Sequence, residues 1–376
     1  MAFAKAEDRT LRPAVSVRLV PPASPFPVPG RPTGGLADGP TPHGGPLLHQ
    51  WTPERVLVFR ALNLGDMLCA VPALRALRRV LPTAHITLLG LPWAIDFSRR
   101  FADLLDGHLS FPGYPALPER ETDVLAWPDF LQSMQGQGFD LVVQMHGNGH
   151  HTNALMALLG ARMTTGFCEA GGLSAWPWHV PWPESGPEPL RLMALARHLG
   201  APADDPALAF PLGAQDRAAW AGRPDILALR SGGYLCLHPG GRETRKRWPA
   251  HQFAAVADVL AGLTGLPVVL TGSGEEAALT GAVRRAMRSP VLDAAEAVPV
   301  GALASLIAGS RLLITNDTGT SHLAAALRVP SVVVFRCTDI DRWAPMDTER
   351  HRAVWDPAGE RIDLVLHEAR QLLERF

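Results

Sequence analysis

The chain has 376 residues, 47% of them hydrophobic and 19% charged, with a formal net charge of −1. That length suits two domains of ordinary size, and the balance excludes a disordered chain or one drawn to nucleic acid by its overall field. There is no run of about 18 uncharged apolar residues to predict a transmembrane helix, no CxxC among Cys69, Cys168, Cys236 and Cys337, and no HExxH among fourteen histidines, so isolated thiols in a reducing cytoplasm and no metal site are expected.

The first residues lack a signal-peptide pattern. Residues 21–46 are dense in Pro and Gly, a composition that buries too little surface to offset ordering, so residues 1–50 are expected to be a flexible arm. Arg55–Phe59 predicts the first strand, 66–80 an amphipathic helix closed by Pro82, and His85–Leu89 the next strand. That βαβ start implies a parallel sheet. Phe139–Met145 predicts a buried strand ending at His146-Gly147-Asn148-Gly149. A helix near 151–160, a strand at 163–167 and a helix at Leu190–Leu199 follow. The Trp- and Pro-rich stretch 173–189 reads as a surface excursion.

The pattern then restarts. Strands are predicted at Tyr234–His238 and Pro267–Thr271, and helices near 250–262, after Glu276, and near 300–309. Leu312–Ile314 is a further strand, followed by a polar turn, a helix, and a strand after Pro330. The last helix covers about 361–374. Strands alternating with helices twice over predict two doubly wound α/β domains, at 51–205 and 206–376, with a cleft between them.

Four polar loops stand at strand ends, where open α/β sheets bind ligands. The first carries Gly65-Asp66 at a helix start. Asp66 reads either as an N-cap or as a carboxylate held in place for proton transfer. The second, GGRETRKRW, carries Arg242, Arg245, Lys246 and Arg247. It is either a solvated basic turn or a clamp on a pyrophosphate. It is not a P-loop, because Arg245 and Arg247 stand where glycine and a hydroxyl residue are required. The third, Gly272-Ser273-Gly274-Glu275-Glu276, is an incomplete dinucleotide fingerprint with Ala277 at its last position. Its acids fit either ribose hydroxyls or a helix cap. The fourth, Asn316-Asp317-Thr318-Gly319-Thr320-Ser321-His322, opens a helix whose free N–H groups and dipole suit an anion. Thr318 and His322 lie four apart on one helix face, and Gly319 leaves the backbone open to a ligand.

Over roughly residues 54–375 the chain resembles glycosyltransferase family 9, the heptosyltransferases and their relatives. The motifs that carry the resemblance are Arg60 with GDMLCAVPALRALRRVLP, then LHPGG with KRWP, LTGSGEE, and TNDTGTSHLAAALRVPSVVVF with RWAP. The resemblance implies a GT-B fold, two Rossmann-like domains with acceptor on the first and nucleotide-sugar on the second. It implies inverting, metal-independent transfer without a cofactor, of heptose from ADP-heptose to a lipopolysaccharide-core or other glycan or glycolipid acceptor. Such an enzyme works in the cytoplasm, peripherally at the inner membrane face. Asp66 matches the general base and Lys246 the lysine on the donor phosphates. Thr318, Gly319 and His322 match the phosphate-binding turn, and Asp317 a residue at the donor sugar. Glu276, with Glu275 as competitor, matches the ribose-binding acid. Another GT-B enzyme, such as a sugar-nucleotide epimerase or hydrolase, and a non-catalytic nucleotide- or glycan-binding module are the alternatives.

Overall fold

A computed structural model describes residues 40, 44–170 and 178–376. The first half begins with a short helix α1 (Leu47–Gln50) and strand β1 (Arg55–Phe59). Helix α2 (Leu64–Val80), β2 (His85–Gly90), α3 (Ala94–Arg100) and β3 (Gly107–Ser110) follow. Next come α4 (Trp127–Gln137), β4 (Leu141–Gln144), α5 (Thr152–Ala157), β5 (Met163–Cys168), β6 (His179–Pro181) and α6 (Glu188–His198). The second half opens with α7 (Ala214–Ala218), α8 (Pro224–Leu227), β7 (Leu235–His238), α9 (Ala250–Thr264), β8 (Val268–Gly272), α10 (Ala277–Ala286) and β9 (Val291–Ala295). It closes with α11 (Val300–Ala308), β10 (Leu312–Asn316), α12 (Gly319–Leu327), β11 (Ser331–Phe335), α13 (Ile340–Trp343), β12 (His351–Trp355) and α14 (Ile362–Arg375).

Two six-stranded sheets result, ordered β3-β2-β1-β4-β5-β6 and β12-β11-β10-β7-β8-β9. Counted from its own first strand, each has the Rossmann order 3-2-1-4-5-6, and the strand pairs are parallel. The order reverses between β1 and β4 in one sheet and between β7 and β10 in the other. The loops leaving those strands therefore flank the two switch-point crevices. The central strands RVLVF, LVVQ, LCLH and LLITN are buried almost throughout, as strands covered by helices on both faces must be.

The largest buried cluster runs without a break from one domain into the other. It joins Val58, Leu68 and Leu74 to Leu192, Leu323, Ala302 and Leu313. Each such valine or leucine side chain fully removed from water contributes about 1.5–3 kcal/mol. Separate clusters back the outer face of each sheet. Polar ties reinforce the junction: Arg100 pairs through both terminal nitrogens with buried Asp216, at 2.7 Å each.

Two expectations need correction. Of the arm expected over 1–50, residues 1–39 and 41–43 lie outside the described residues, but Leu47–Gln50 belongs to the folded body. Leu47 and Leu48 are buried, and the Leu48 amide donates to the Leu199 carbonyl at 2.9 Å. Those two leucines make the difference, because the Pro/Gly-rich composition stops just before them. Of the excursion expected at 173–189, residues 173–177 lie outside the described residues. His179–Pro181 is an edge strand paired with β5, and Trp178 is buried beside it.

Candidate active site

Helix α2 starts two residues earlier than expected, with Asn63 as its N-cap residue. Asp66 is therefore inside the first turn, and the capping alternative does not describe it. Its side chain faces a cavity of about 820 Å³ between the domains. The site's local order comes from Arg60, which is buried. Its Nε donates to the Asp66 carbonyl at 3.0 Å and another nitrogen to the Met145 carbonyl. A third donates to Glu188 at 3.2 Å. The other oxygen of buried Glu188 accepts from Arg342 Nε at 2.9 Å. One carboxylate at the start of α6 thus joins the loop under Asp66 to α13 of the second domain. A buried charge flanked on both sides in this way would be costly to leave with one partner.

The opposite wall is built around Asn316. Its amide nitrogen donates to the carbonyls of Pro239 and Gly240 at 2.8 and 2.9 Å, and its oxygen accepts from the Trp248 amide at 2.8 Å. The loops after β7 and β10 are locked together by one side chain. On that frame Lys246 Nζ lies 3.5 Å from Asp317 Oδ2, which also accepts from the Thr338 hydroxyl at 2.5 Å. Thr318 is the N-cap residue of α12, and its hydroxyl is buried with no hydrogen-bond partner among the described residues. A desolvated hydroxyl beside free helix N–H groups is an open position for a ligand oxygen.

Asp66, Lys246, Asp317, Thr318, Gly319 and His322 all line this one cavity. Burial lowers the pKa of His322, against the charges of Asp317, Asp66 and Glu188. Its Nδ1 lies 3.7 Å from Cys69 Sγ. The two walls meet at glycines. A Cβ on Gly65 would stand 2.8 Å from His322 Cδ2 and 3.1 Å from the Cα of Gly319, so the α2 start has no room for a larger residue there.

Glu275 and Glu276 do not line the cavity. Both Glu276 oxygens are engaged, one accepting from the Gly241 amide at 2.7 Å and the other from the Ser273 amide at 2.9 Å. Burial acts to raise its pKa. His238 and these N–H donors outweigh that and hold it below the ordinary range. Glu276 thereby shapes the loop that carries Lys246. Glu275 is exposed on the same turn.

Of the basic cluster, only Arg242 and Lys246 reach the cavity. Arg245 pairs with Glu243 at 2.7 Å, and Arg247 Nε donates to the Gly241 carbonyl at 2.8 Å. Arg242 instead crosses the cleft to the Pro118 carbonyl at 3.3 Å. The histidine-rich loop divides likewise. His146 is buried under Arg60, its Nδ1 accepting from the Ala61 amide at 3.2 Å, and burial lowers its pKa to about 3. His150 is exposed and pairs with Glu169 at 3.0 Å. Trp93, Glu119 and Trp343 also line the cavity. Sequence reasoning singled out none of them as site residues, and Trp343 alone fell within a quoted motif, RWAP.

Two Rossmann-like domains facing each other across a cleft, with polar loops at the carboxyl ends of both sheets, define the GT-B architecture. The glycosyl transferase family 9 protein of Veillonella parvula DSM 2008 has this fold, with TM-score 0.74 and 20% identity over 86% of this chain and 98% of that one. So does the ADP-heptose lps heptosyltransferase II of E. coli, with TM-score 0.69 and 20% identity over 85% and 99%. The profile of glycosyltransferase family 9 (heptosyltransferase) matches residues 127–368, and the chain belongs to that family. Lipopolysaccharide heptosyltransferase 3 of Escherichia coli is 31% identical over 115 residues, 30% of this chain. That match spans about a third (34%) of the relative's length.

Proposed function

We propose that the protein is an inverting glycosyltransferase that moves a heptose from ADP-heptose to a hydroxyl of a lipopolysaccharide-core glycan. The observation that carries this reading is the division of labour across one cavity. Asp66 stands at a helix start on the first wall, and Lys246, Asp317, Thr318 and the α12 start stand on the second. Family membership supports sugar transfer, and the relatives named for ADP-heptose and lipopolysaccharide support the donor and the acceptor.

In this mechanism the acceptor hydroxyl attacks the anomeric carbon as Asp66 takes its proton. The bond from that carbon to the diphosphate oxygen breaks on the opposite face, and ADP leaves with the electron pair. Its charge is met by Lys246, the Thr318 hydroxyl and the N–H groups at Gly319. Donors preorganised in a water-poor cleft are usually the largest catalytic term, about 3–4 kcal/mol for a well-placed one. Asp317 contacts the donor sugar, and Glu275 or Glu276 the ribose. With a lysine and a helix start on the phosphates, transfer is proposed to run without a metal ion. Among the described residues no helix is long and apolar enough to cross a membrane. The enzyme is proposed to meet its glycolipid at the cytoplasmic face of the inner membrane.

A thermal-shift panel of ADP, UDP, GDP and CMP tests the donor. Preferential stabilisation by ADP is expected, and preference for UDP would overturn the ADP-heptose assignment. An epimerase or hydrolase would consume the donor with no acceptor present, and the products with and without acceptor separate those chemistries.

A further inference from the structure

Glu119 lies in the loop between β3 and α4, on the same wall of the cavity as Asp66. Its Oε2 is buried and has no hydrogen-bond partner among the described residues. A half-desolvated carboxylate costs free energy to maintain unless something pairs with it. Burial raises its pKa and the nearby charge of Asp66 adds to that, while a hydrogen bond from its own backbone amide and the charge of Arg242 oppose it.

The loop that carries Glu119 is well anchored. Arg120 donates to the Phe111 carbonyl at 2.5 Å, the Asp123 amide to the Pro112 carbonyl at 2.9 Å, and Trp127 Nε1 to the Gly113 carbonyl at 3.2 Å. Gly113 has φ 86°, and a side chain there would collide with the Glu121 carbonyl. Pro118, next to Glu119, is held from across the cleft by Arg242. The anchored loop thus holds Glu119 on the cavity wall, with one carboxylate oxygen lacking a partner among the described residues. Trp93 supplies an aromatic surface on the same wall. An aromatic face beside a hydrogen-bond acceptor suits a sugar, whose C–H surface packs on the ring while its hydroxyls donate.

We propose that Glu119 is an acceptor-binding residue: its carboxylate accepts hydrogen bonds from hydroxyls of the acceptor sugar, whose ring lies against Trp93 with the reacting hydroxyl directed at Asp66. This rests on the transferase reading and extends it to the acceptor. The residues assigned to the donor phosphates and sugar come from the second domain, which leaves Glu119 to the other substrate.

The test compares wild type, Glu119→Gln and Glu119→Asp in steady-state transfer. The probes are ADP-heptose and a series of deacylated lipopolysaccharide core oligosaccharides truncated one sugar at a time. Glu119→Gln should raise the acceptor KM about ten- to hundredfold, the range of a charge-assisted hydrogen bond. The donor KM should stay within about twofold. Glu119→Asp, which withdraws the charge by one methylene, should fall between the two. An unchanged acceptor KM in active enzyme, or a donor KM that moves with it, overturns the assignment of Glu119 alone. If wild type transfers to no oligosaccharide of the series, the lipopolysaccharide-core reading falls and this assignment with it.

Discussion

Replacing Gly65 by alanine perturbs the spacing between the two walls of the cleft and little else. The new methyl would stand 2.8 Å from His322 Cδ2 and 3.1 Å from Gly319 Cα. Carbon atoms rest at about 3.5–4.0 Å, so the helix starts must separate by roughly half an ångström or the His322 ring must turn. Overpacking of this kind costs about 1–3 kcal/mol. Alanine returns about 1 kcal/mol through its better helix propensity. The net loss of stability should be about 1 kcal/mol, a fall of a few degrees in the thermal midpoint. The effect on transfer should be larger in proportion. A misplacement of about 1 Å costs on the order of a hundredfold in rate, so half of that predicts about a tenfold lower kcat with both substrates saturating. ADP affinity should hold, since the groups proposed for the diphosphate share the second wall. Gly319→Ala should do less, because its methyl would meet the Gly65 amide at 3.3 Å and Leu64 Cβ at 3.6 Å. Wild-type kcat in Gly65→Ala would refute the idea that glycine-to-glycine approach sets the distance between base and donor.

Lys246→Ala should weaken ADP binding by about ten- to hundredfold in calorimetry, the loss of one charge-assisted contact, and unchanged affinity would remove its assigned role. Arg100→Ala should cost about 3 kcal/mol in urea unfolding, because it leaves Asp216 buried at the domain junction without its cation; a loss below about 0.5 kcal/mol would show the junction to be held by packing alone. Burial lowers the pKa of His146 to about 3 and those of His179 and His351 to about 4. As pH falls below the unfolded value near 6.5, the unfolded chain gains protons that the folded chain does not. Stability is therefore full at neutral pH and should fall between pH 6.5 and 4, each histidine contributing up to about 1.4 kcal/mol per pH unit. His351→Gln should flatten that slope, and equal unfolding free energies at pH 7 and pH 5 would contradict it.

The eight strands expected from sequence are the four central strands of each sheet. Most of their runs, such as RVLVF and SVVVF, are apolar beyond the first residue, because helices cover both faces. The four strands that were not expected, β3, β6, β9 and β12, are the sheet edges. GHLS, HVP, VLDAA and HRAVW carry polar residues and half-exposed positions, so no hydrophobic period announces them. The site shows the same division. Asp66, Lys246 and the Asp317–His322 turn were legible because they sit at the ends of central strands, where chain order alone brings loops to one edge. The pairing of Glu188 with Arg342 was not, since a part-buried ion pair joining residues 154 apart leaves no local pattern. Glu119 follows an edge strand and sits in a loop of ordinary composition. Its significance lies in an unpaired oxygen, which only the folded chain reveals.

The measurement that bears most directly on the account is the rate of heptose transfer by Asp66→Ala beside its affinity for ADP. ADP binding should match wild type, because the groups proposed for the nucleotide lie in the second domain. Transfer should fall by a factor of about 10²–10⁴, the usual loss when a general base is removed. Transfer at the wild-type rate by Asp66→Ala would contradict the account and leave the cleft without its proposed base.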